Sequence, residues 1–155
     1  MKIVLLKDVP KLGRRYDTKD VLDYGCGKGG LAKLLDFPIK EYDPAIPEKS
    51  APPDFADIVI CASVLEHVEP ECLDDVVQDL RRCMRRAGLI IVPHNPAIDF
   101  LPDGRNAHRT IESLEWWREK LGNWFVLQSA VRYGSLTSNE PGKVMIGSRT
   151  YFIVT

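Results

Sequence analysis

With 155 residues, the chain has room for one domain and can bury roughly 70% of its unfolded surface on folding. Its 45% hydrophobic and 28% charged content is that of an ordinary soluble globular protein. Twenty-one basic against 22 acidic side chains leave a net charge of -1, which excludes bulk electrostatic capture of nucleic acid or an anionic membrane.

Cys26, Cys61, Cys72 and Cys83 form no C-x-x-C pair and no dense framework, so all four read as reduced thiols of a cytoplasmic chain. No apolar run approaches the length of a membrane span, and the N-terminus lacks a signal-peptide pattern. Neither secretion nor membrane insertion is therefore expected.

In chain order, Ile3 to Leu6 reads as a short strand, and Pro10 to Asp20 as a basic, turn-rich segment. Residues 1–20 thus form an atypical lead-in to a single domain covering 1–155. Val21 to Tyr24 reads as a buried parallel strand. It opens into Asp23-Tyr-Gly25-Cys-Gly27-Lys-Gly29-Gly30, the most informative stretch of the chain. Alternating glycines let the backbone turn sharply from strand to helix and let a ligand approach where a Cβ would collide. Asp23 places a carboxylate at the carboxyl end of that strand, suited to the cationic amino end of a ligand such as S-adenosylmethionine. Lys28 to Asp36 reads as a short helix.

Ile39 to Tyr42 is the expected second strand, ended by Asp43-Pro44. Pro44, Pro47, Pro52 and Pro53 forbid regular structure after it. Asp57 to Ser63 is apolar on both faces, as a central parallel strand should be. Pro70 opens a helix at its first turn, and Leu73, Val76, Val77, Leu80, Met84 and Ala87 give that helix one apolar stripe, ended by Gly88. Leu89 to Val92 reads as another buried strand, and Thr110 to Leu121 as a helix closed by Gly122. Trp124 to Tyr133 and Val144 to Val154 look like two strands joined by a polar loop, forming an antiparallel pair at one edge.

Strands alternating with helices predict an α/β fold, a mostly parallel sheet with helices on both faces. Ligands in such sheets sit outside the carboxyl ends of the strands. That rule puts Asp23 to Gly29, Asp43, Ser63 to His67 and Pro93 to Asn95 along one rim.

These residues resemble the class I S-adenosylmethionine-dependent methyltransferases, which have a Rossmann-like fold. VLDYGCGKGG matches the family's first motif, Asp43 its ribose-binding acidic residue, ADIVICASVLEHVEP its fourth strand and following turn, and RRAGLIIVPHNP its fifth strand. YDPA, PDGRNAH and the Trp116-Trp117 helix are also similar to small methyltransferase-like proteins of tailed phages. The resemblance implies S-adenosylmethionine as cofactor, held by Asp23, Gly25, Gly27, Asp43 and Ser63. It also implies an antiparallel final strand. Two departures stand out. Only 13 residues separate Asp43 from Asp57, so the third strand and its helix are expected to be missing, leaving the loop from Glu48 to Phe55 to hold the adenine. The N-terminal helices that often cover the cofactor are expected to be absent too. MKIVLLKDVPKLGRR instead resembles the opening of the ninth ribosomal protein of the bacterial large subunit, but the match stops at Tyr16 and implies no ribosomal role.

Methyl transfer from a sulfonium is an in-line displacement that needs alignment and often a proton acceptor, and no metal is required. His94, leaving the fifth strand, and His108, closing a polar loop, are the candidate acceptors. Glu66 and His67 fit equally well a surface turn that stabilises the next helix. Arg81, Arg82, Arg85 and Arg86 read better as the basic end of a helix whose acidic residues begin it than as a phosphate face. Trp116 and Trp117 read as one core and one half-buried residue. Gly25, Gly27 and Gly30 also satisfy G-x-G-x-x-G, but a dehydrogenase carries an apolar residue where Asp23 stands and needs a second domain. The strand ending Ala62-Ser63-Val64-Leu65 lacks the Asn/Asp-Pro-Pro-aromatic motif of amino-directed DNA methyltransferases, and no Pro-Cys nucleophile follows it. The expected reaction is O- or N-methylation of a small-molecule acceptor, with nucleic acid disfavoured. The rival is a non-catalytic S-adenosylmethionine-binding sensor or partner subunit.

Overall fold

A computed structural model describes residues 2–134 and 148–155. Its six strands are β1 (Val21–Tyr24), β2 (Lys40–Tyr42), β3 (Ala56–Ala62), β4 (Met84–Pro93), β5 (Leu127–Gly134) and β6 (Ser148–Val154). They form one sheet in the order β2-β1-β3-β4-β6-β5. The β2-β1, β1-β3 and β3-β4 pairs are parallel. β6 runs antiparallel to both β4 and β5. The antiparallel edge pair is as the sequence predicts, and among the described residues the edge strand β2 has no further strand beyond it. The stretch expected as loop, 135–143, and the first residues of the expected last strand, 144–147, lie outside the described residues.

The sheet separates two apolar layers. On one face α2 (Leu73–Cys83) and α3 (Leu114–Gly122) pack Leu73, Val77, Leu80, Trp117 and Leu121 against Leu22, Val59 and Phe152. On the other, α1 (Lys2–Tyr16) packs Leu5, Val9 and Leu12 against Val21, Ile58, Ile60 and Leu89. β3 feeds both layers, Val59 and Cys61 to one and Ile58 and Ile60 to the other, as its unbroken apolar run predicts. Trp117 is fully buried and Trp116 partly so, the division expected for that pair.

Four expectations are corrected. The N-terminal segment is a helix rather than a strand and lead-in, because Leu5, Val9 and Leu12 at helical spacing find an open sheet face. That helix puts Leu5 on the wall of the cavity beside Asp23. Residues 28–36 form successive turns rather than a helix. Gly29 there has φ +75°, and so short a stretch cannot offset the cost of nucleation. The helix from Pro70 starts as a 3-10 turn and ends at Cys83, not at Gly88. Met84 and Ala87, one stripe on a helix, instead enter opposite layers of the sheet, and Met84–Ala87 pairs with Ala56–Ile58 of β3. The last helix begins at Leu114, not at Thr110, because Ser113 caps it: its hydroxyl oxygen accepts from the Trp116 N–H at 3.1 Å. Ser113→Ala is expected to lower stability by about 1 kcal/mol, read by urea unfolding; an unchanged midpoint would contradict the cap.

The arginines of the 81–86 region are engaged locally. Arg82 pairs with Asp79 at 2.8 Å, Arg81 donates to the Met84 carbonyl, Arg86 to that of Tyr16, and Arg85 lies 3.5 Å over the Phe55 ring. All four cysteines are free, as expected. No helix among the described residues is long and apolar enough to cross a membrane.

Candidate active site

The carboxyl ends of β1, β2 and β3 converge on one rim. Gly25 and Gly27 turn the chain out of β1 with φ of +77° and +52°, conformations that favour glycine. The Gly25 and Cys26 amides both donate to the Tyr42 carbonyl, at 2.8 and 3.0 Å, tying the loop to the end of β2. Asp43 completes the tie: one carboxylate oxygen accepts from the Gly27 N–H at 2.8 Å and the other from the Ala45 N–H at 2.9 Å. In this structure Asp43 therefore holds the glycine loop in shape from across the sheet. A Cβ on Gly27 would meet nothing within 4 Å, so that side of the loop faces open space where a ligand can lie against bare backbone.

Asp23 is only 5% exposed. Its register partner on β2 is Glu41, which puts two carboxylates side by side. Burial first, then Glu41 and Asp43, push the Asp23 carboxyl up to about 7, against the opposing pull of Lys49. The Lys49 ammonium pairs with Glu41 at 3.1 Å and reaches the Gly27 carbonyl at 3.4 Å. With Glu41 and Asp43 beside it and Lys49 as the opposing charge, Asp23 stands at a locally negative end of the rim, an environment that favours a cation. A cavity of about 160 Å³ lies beside Asp23, walled by Leu5, Gly25, Gly30, Leu31 and Ala62. A larger hollow of about 420 Å³ lies away from the rim, between the end of α1 and Phe37.

Ser63 ends β3 in the left-handed region at φ +59°, costly for a residue with a side chain, and its N–H donates to the Ile91 carbonyl at 2.9 Å. That kink turns the chain into a 3-10 turn, Leu65–His67. Glu66 is buried to 1% exposure, contrary to a simple surface turn, while His67 is exposed. Burial pushes the Glu66 carboxyl up to about 7, against Arg149 and the Ser63 hydroxyl, which favour its ionised form.

The loop carrying His108 docks onto that turn. The Arg109 and Thr110 amides both donate to the Glu66 carbonyl, at 2.6 and 3.0 Å, and the Thr110 hydroxyl donates to the Val68 carbonyl. Arg105, which is exposed, and Arg109, which is partly buried, both pair with Glu69 at 2.9 Å. Asn106 braces the loop, accepting from the Ala97 and His108 amides.

The two histidines expected as proton acceptors differ. His94 has both ring nitrogens engaged, Nδ1 with the Glu112 carbonyl at 2.8 Å and Nε2 with the Thr150 hydroxyl at 2.6 Å. It staples β4 to β6 and to the segment before α3. Among the described residues His108 uses only Nδ1, 2.6 Å from the Asn95 carbonyl. The sequence reading missed Glu41 and Lys49; the signal available was the acidic pair Glu41 and Asp43 ending a strand beside Asp23.

This sheet order, with its reversed last strand and its glycine loop and carboxylate at the first strand's end, defines a reduced Rossmann-like class I methyltransferase fold. The chain belongs to the methyltransferase domain family, whose model matches residues 4–132. No curated protein matches it. Among solved structures it is similar to TehB from Haemophilus influenzae (TM-score 0.63, 13% identity), covering 95% of this chain and 60% of that one. It is also similar to magnesium protoporphyrin IX methyltransferase from Synechocystis with bound S-adenosylmethionine (TM-score 0.65, 17% identity; 99% and 78% covered). A third likeness is to 1,6-didemethyltoxoflavin-N1-methyltransferase from Burkholderia thailandensis, bound to its substrate and S-adenosylhomocysteine (TM-score 0.60, 15% identity; 97% and 77% covered). The chain thus spans less than two thirds of the first of these, and identities so low speak for the fold alone.

Proposed function

We propose that the protein transfers the methyl group of S-adenosylmethionine to an oxygen or nitrogen of a small-molecule acceptor. The observation that carries this reading is the buried Asp23 carboxylate beside a glycine loop with open space against its backbone. Asp23 would bind the donor's ammonium, Gly25 and Gly27 would let the donor lie along the loop, and Ser63 would meet its methionine part through the main chain. Asp43 would accept from the ribose hydroxyls with the lone pairs that its bonds from Gly27 and Ala45, one to each oxygen, leave over.

In the reaction the acceptor's lone pair attacks the methyl carbon as the carbon–sulfur bond breaks. The electron pair of that bond stays on sulfur, so the sulfonium becomes a neutral thioether. The acceptor must also give up a proton. Of the two histidines expected to take it, only His108 keeps a ring nitrogen outside any hydrogen bond among the described residues. Two solved relatives in fold, from Synechocystis and Burkholderia thailandensis, carry names that specify small acceptors, which favours that class here.

Isothermal titration with S-adenosylmethionine, S-adenosylhomocysteine and NAD tests the first half. Binding of the first two and not the third is expected, and NAD binding alone would overturn it. A screen for transfer of tritiated methyl to small molecules, protein and nucleic acid tests the second. Donor binding with no transfer to any acceptor would leave a sensor or partner subunit as the function.

A further inference from the structure

We propose that Glu66, His67 and His108 form a binding site for one divalent transition-metal ion on the rim just beyond Ser63. One ligand atom from each of these three side chains lies within 4.8 Å of the other two. His67 Nε2 is 3.9 Å from a Glu66 oxygen, and the two imidazole rings meet edge to face at 5.0 Å between centroids. Bonds of about 2.0–2.2 Å from a metal would set its ligand atoms roughly 3–3.6 Å apart, so the three side chains need draw in by only about an ångström to share one ion.

The orientation of the rings supports the assignment more than proximity does. His67 Nδ1 lies 2.8 Å from the Ala107 carbonyl, and His108 Nδ1 lies 2.6 Å from the Asn95 carbonyl. A carbonyl can only accept, so each neutral ring carries its proton on Nδ1 and presents a lone pair at Nε2. This is how metal-binding histidines are held, by a main-chain carbonyl behind the ring. Glu66 adds the charge. Both its oxygens are shut off from solvent, and among the described residues neither meets a donor at full hydrogen-bond geometry, although its own N–H, the Ser63 hydroxyl and Arg149 favour its ionised form. A carboxylate so placed is a poor surface-turn residue and a good ligand for a cation.

The backbone is already fixed for the purpose. The Arg109 and Thr110 amides clamp the His108 loop to the Glu66 carbonyl, so the three ligands sit on two segments tied at their point of contact. Two imidazoles and one carboxylate are the donor set of an open three-ligand site, suited to zinc, iron, cobalt or manganese more than to magnesium or calcium. Positions left open would take an oxygen of the acceptor and ease loss of its proton to solvent before the lone pair attacks the methyl group. That placement, unlike the ion itself, rests on the methyl-transfer reading. It makes His108 a ligand rather than a base, and it favours an oxygen acceptor.

The test is titration of the chelator-treated, full-length chain with cobalt(II), followed by zinc(II) and manganese(II), without donor or acceptor. One ion per chain is expected, with the visible absorption of cobalt in a low-symmetry nitrogen and oxygen site. His67→Gln and His108→Gln should each weaken binding about tenfold or more. His67 is exposed and His108 partly so, so both variants should keep the fold, which melting curves without metal are to check. Cys72→Ser, which removes the one exposed thiol, should change nothing. No binding at millimolar ion, binding indifferent to both histidine variants, or binding lost with Cys72 would overturn the site. Titration with S-adenosylhomocysteine on the same samples separates the two readings. Metal uptake without nucleoside binding would sink methyl transfer alone, and nucleoside binding without metal uptake would sink the ion alone.

Discussion

Asp23→Asn is expected to weaken binding of S-adenosylmethionine about 10- to 150-fold, because it removes a charge-assisted contact of about 1.5–3 kcal/mol. The fold should survive, since the amide keeps the shape of the carboxylate and removes a buried charge. Apo stability near neutral pH should be unchanged or higher, a loss of binding without loss of structure. The pH dependence sharpens the test. In the fold the Asp23 carboxyl is raised from 3.8 to about 7, by burial first and by Glu41 and Asp43, with Lys49 opposing. A raised carboxyl favours the protonated folded state, so its contribution to stability is complete below about pH 4 and lost as pH rises through about 7. The cationic ligand selects the ionised form. Affinity should therefore climb as pH rises through about 7, with a proton released on binding below that value. Titration in buffers of different ionisation enthalpy reads the proton directly. In Asp23→Asn both the climb and the proton should vanish. Equal affinity of the variant and the parent would remove Asp23 from the site.

Much of the fold was legible because its signals are local. β3 advertises itself through an apolar run that must be buried on both faces, and the glycines after Asp23 mark a turn that few other sequences make. The missing third strand could be read from the short spacing between Asp43 and Asp57 alone. The errors arose where tertiary contact overrides local pattern. Met84 and Ala87 continue the helical stripe of α2, yet β3 offers their backbone a ladder, and each side chain finds a separate layer. α1 was hidden because its β-branched start and Pro10 argue against a helix, while the stripe of Leu5, Val9 and Leu12 has meaning only against a sheet face.

The site was legible to a different degree. Asp23, Gly25, Gly27, Asp43 and Ser63 do converge on one rim, because each stands at or just after a strand's carboxyl end. The histidines could not be sorted from sequence. What separates His94 from His108 is whether the far nitrogen meets Thr150, a residue 56 positions away on β6. Burial of Glu66 was likewise invisible, since it depends on a loop more than 40 positions downstream folding back over the turn.

Gly25→Ala is expected to cost about 2–5 kcal/mol of stability and to abolish measurable donor binding at ordinary concentrations. Two separate penalties add. At φ +77° an L-residue is strained by about 1–2 kcal/mol. In addition the new methyl would fall inside the Val64 side chain, with one Val64 methyl at 2.9 Å and its Cβ at 3.3 Å, and relieving such overpacking costs about 1–3 kcal/mol. Donor binding fails because the Gly25 amide anchors the loop to the Tyr42 carbonyl, and a displaced loop no longer presents its bare side to the ligand. The double variant with Val64→Ala distinguishes the two penalties. It should recover the packing share, giving a favourable coupling of about 1–3 kcal/mol in a double-mutant cycle, while the backbone strain remains. Urea unfolding of the four proteins measures the cycle. Strict additivity would mean that β1 and the turn after β3 do not approach as closely as this rim requires.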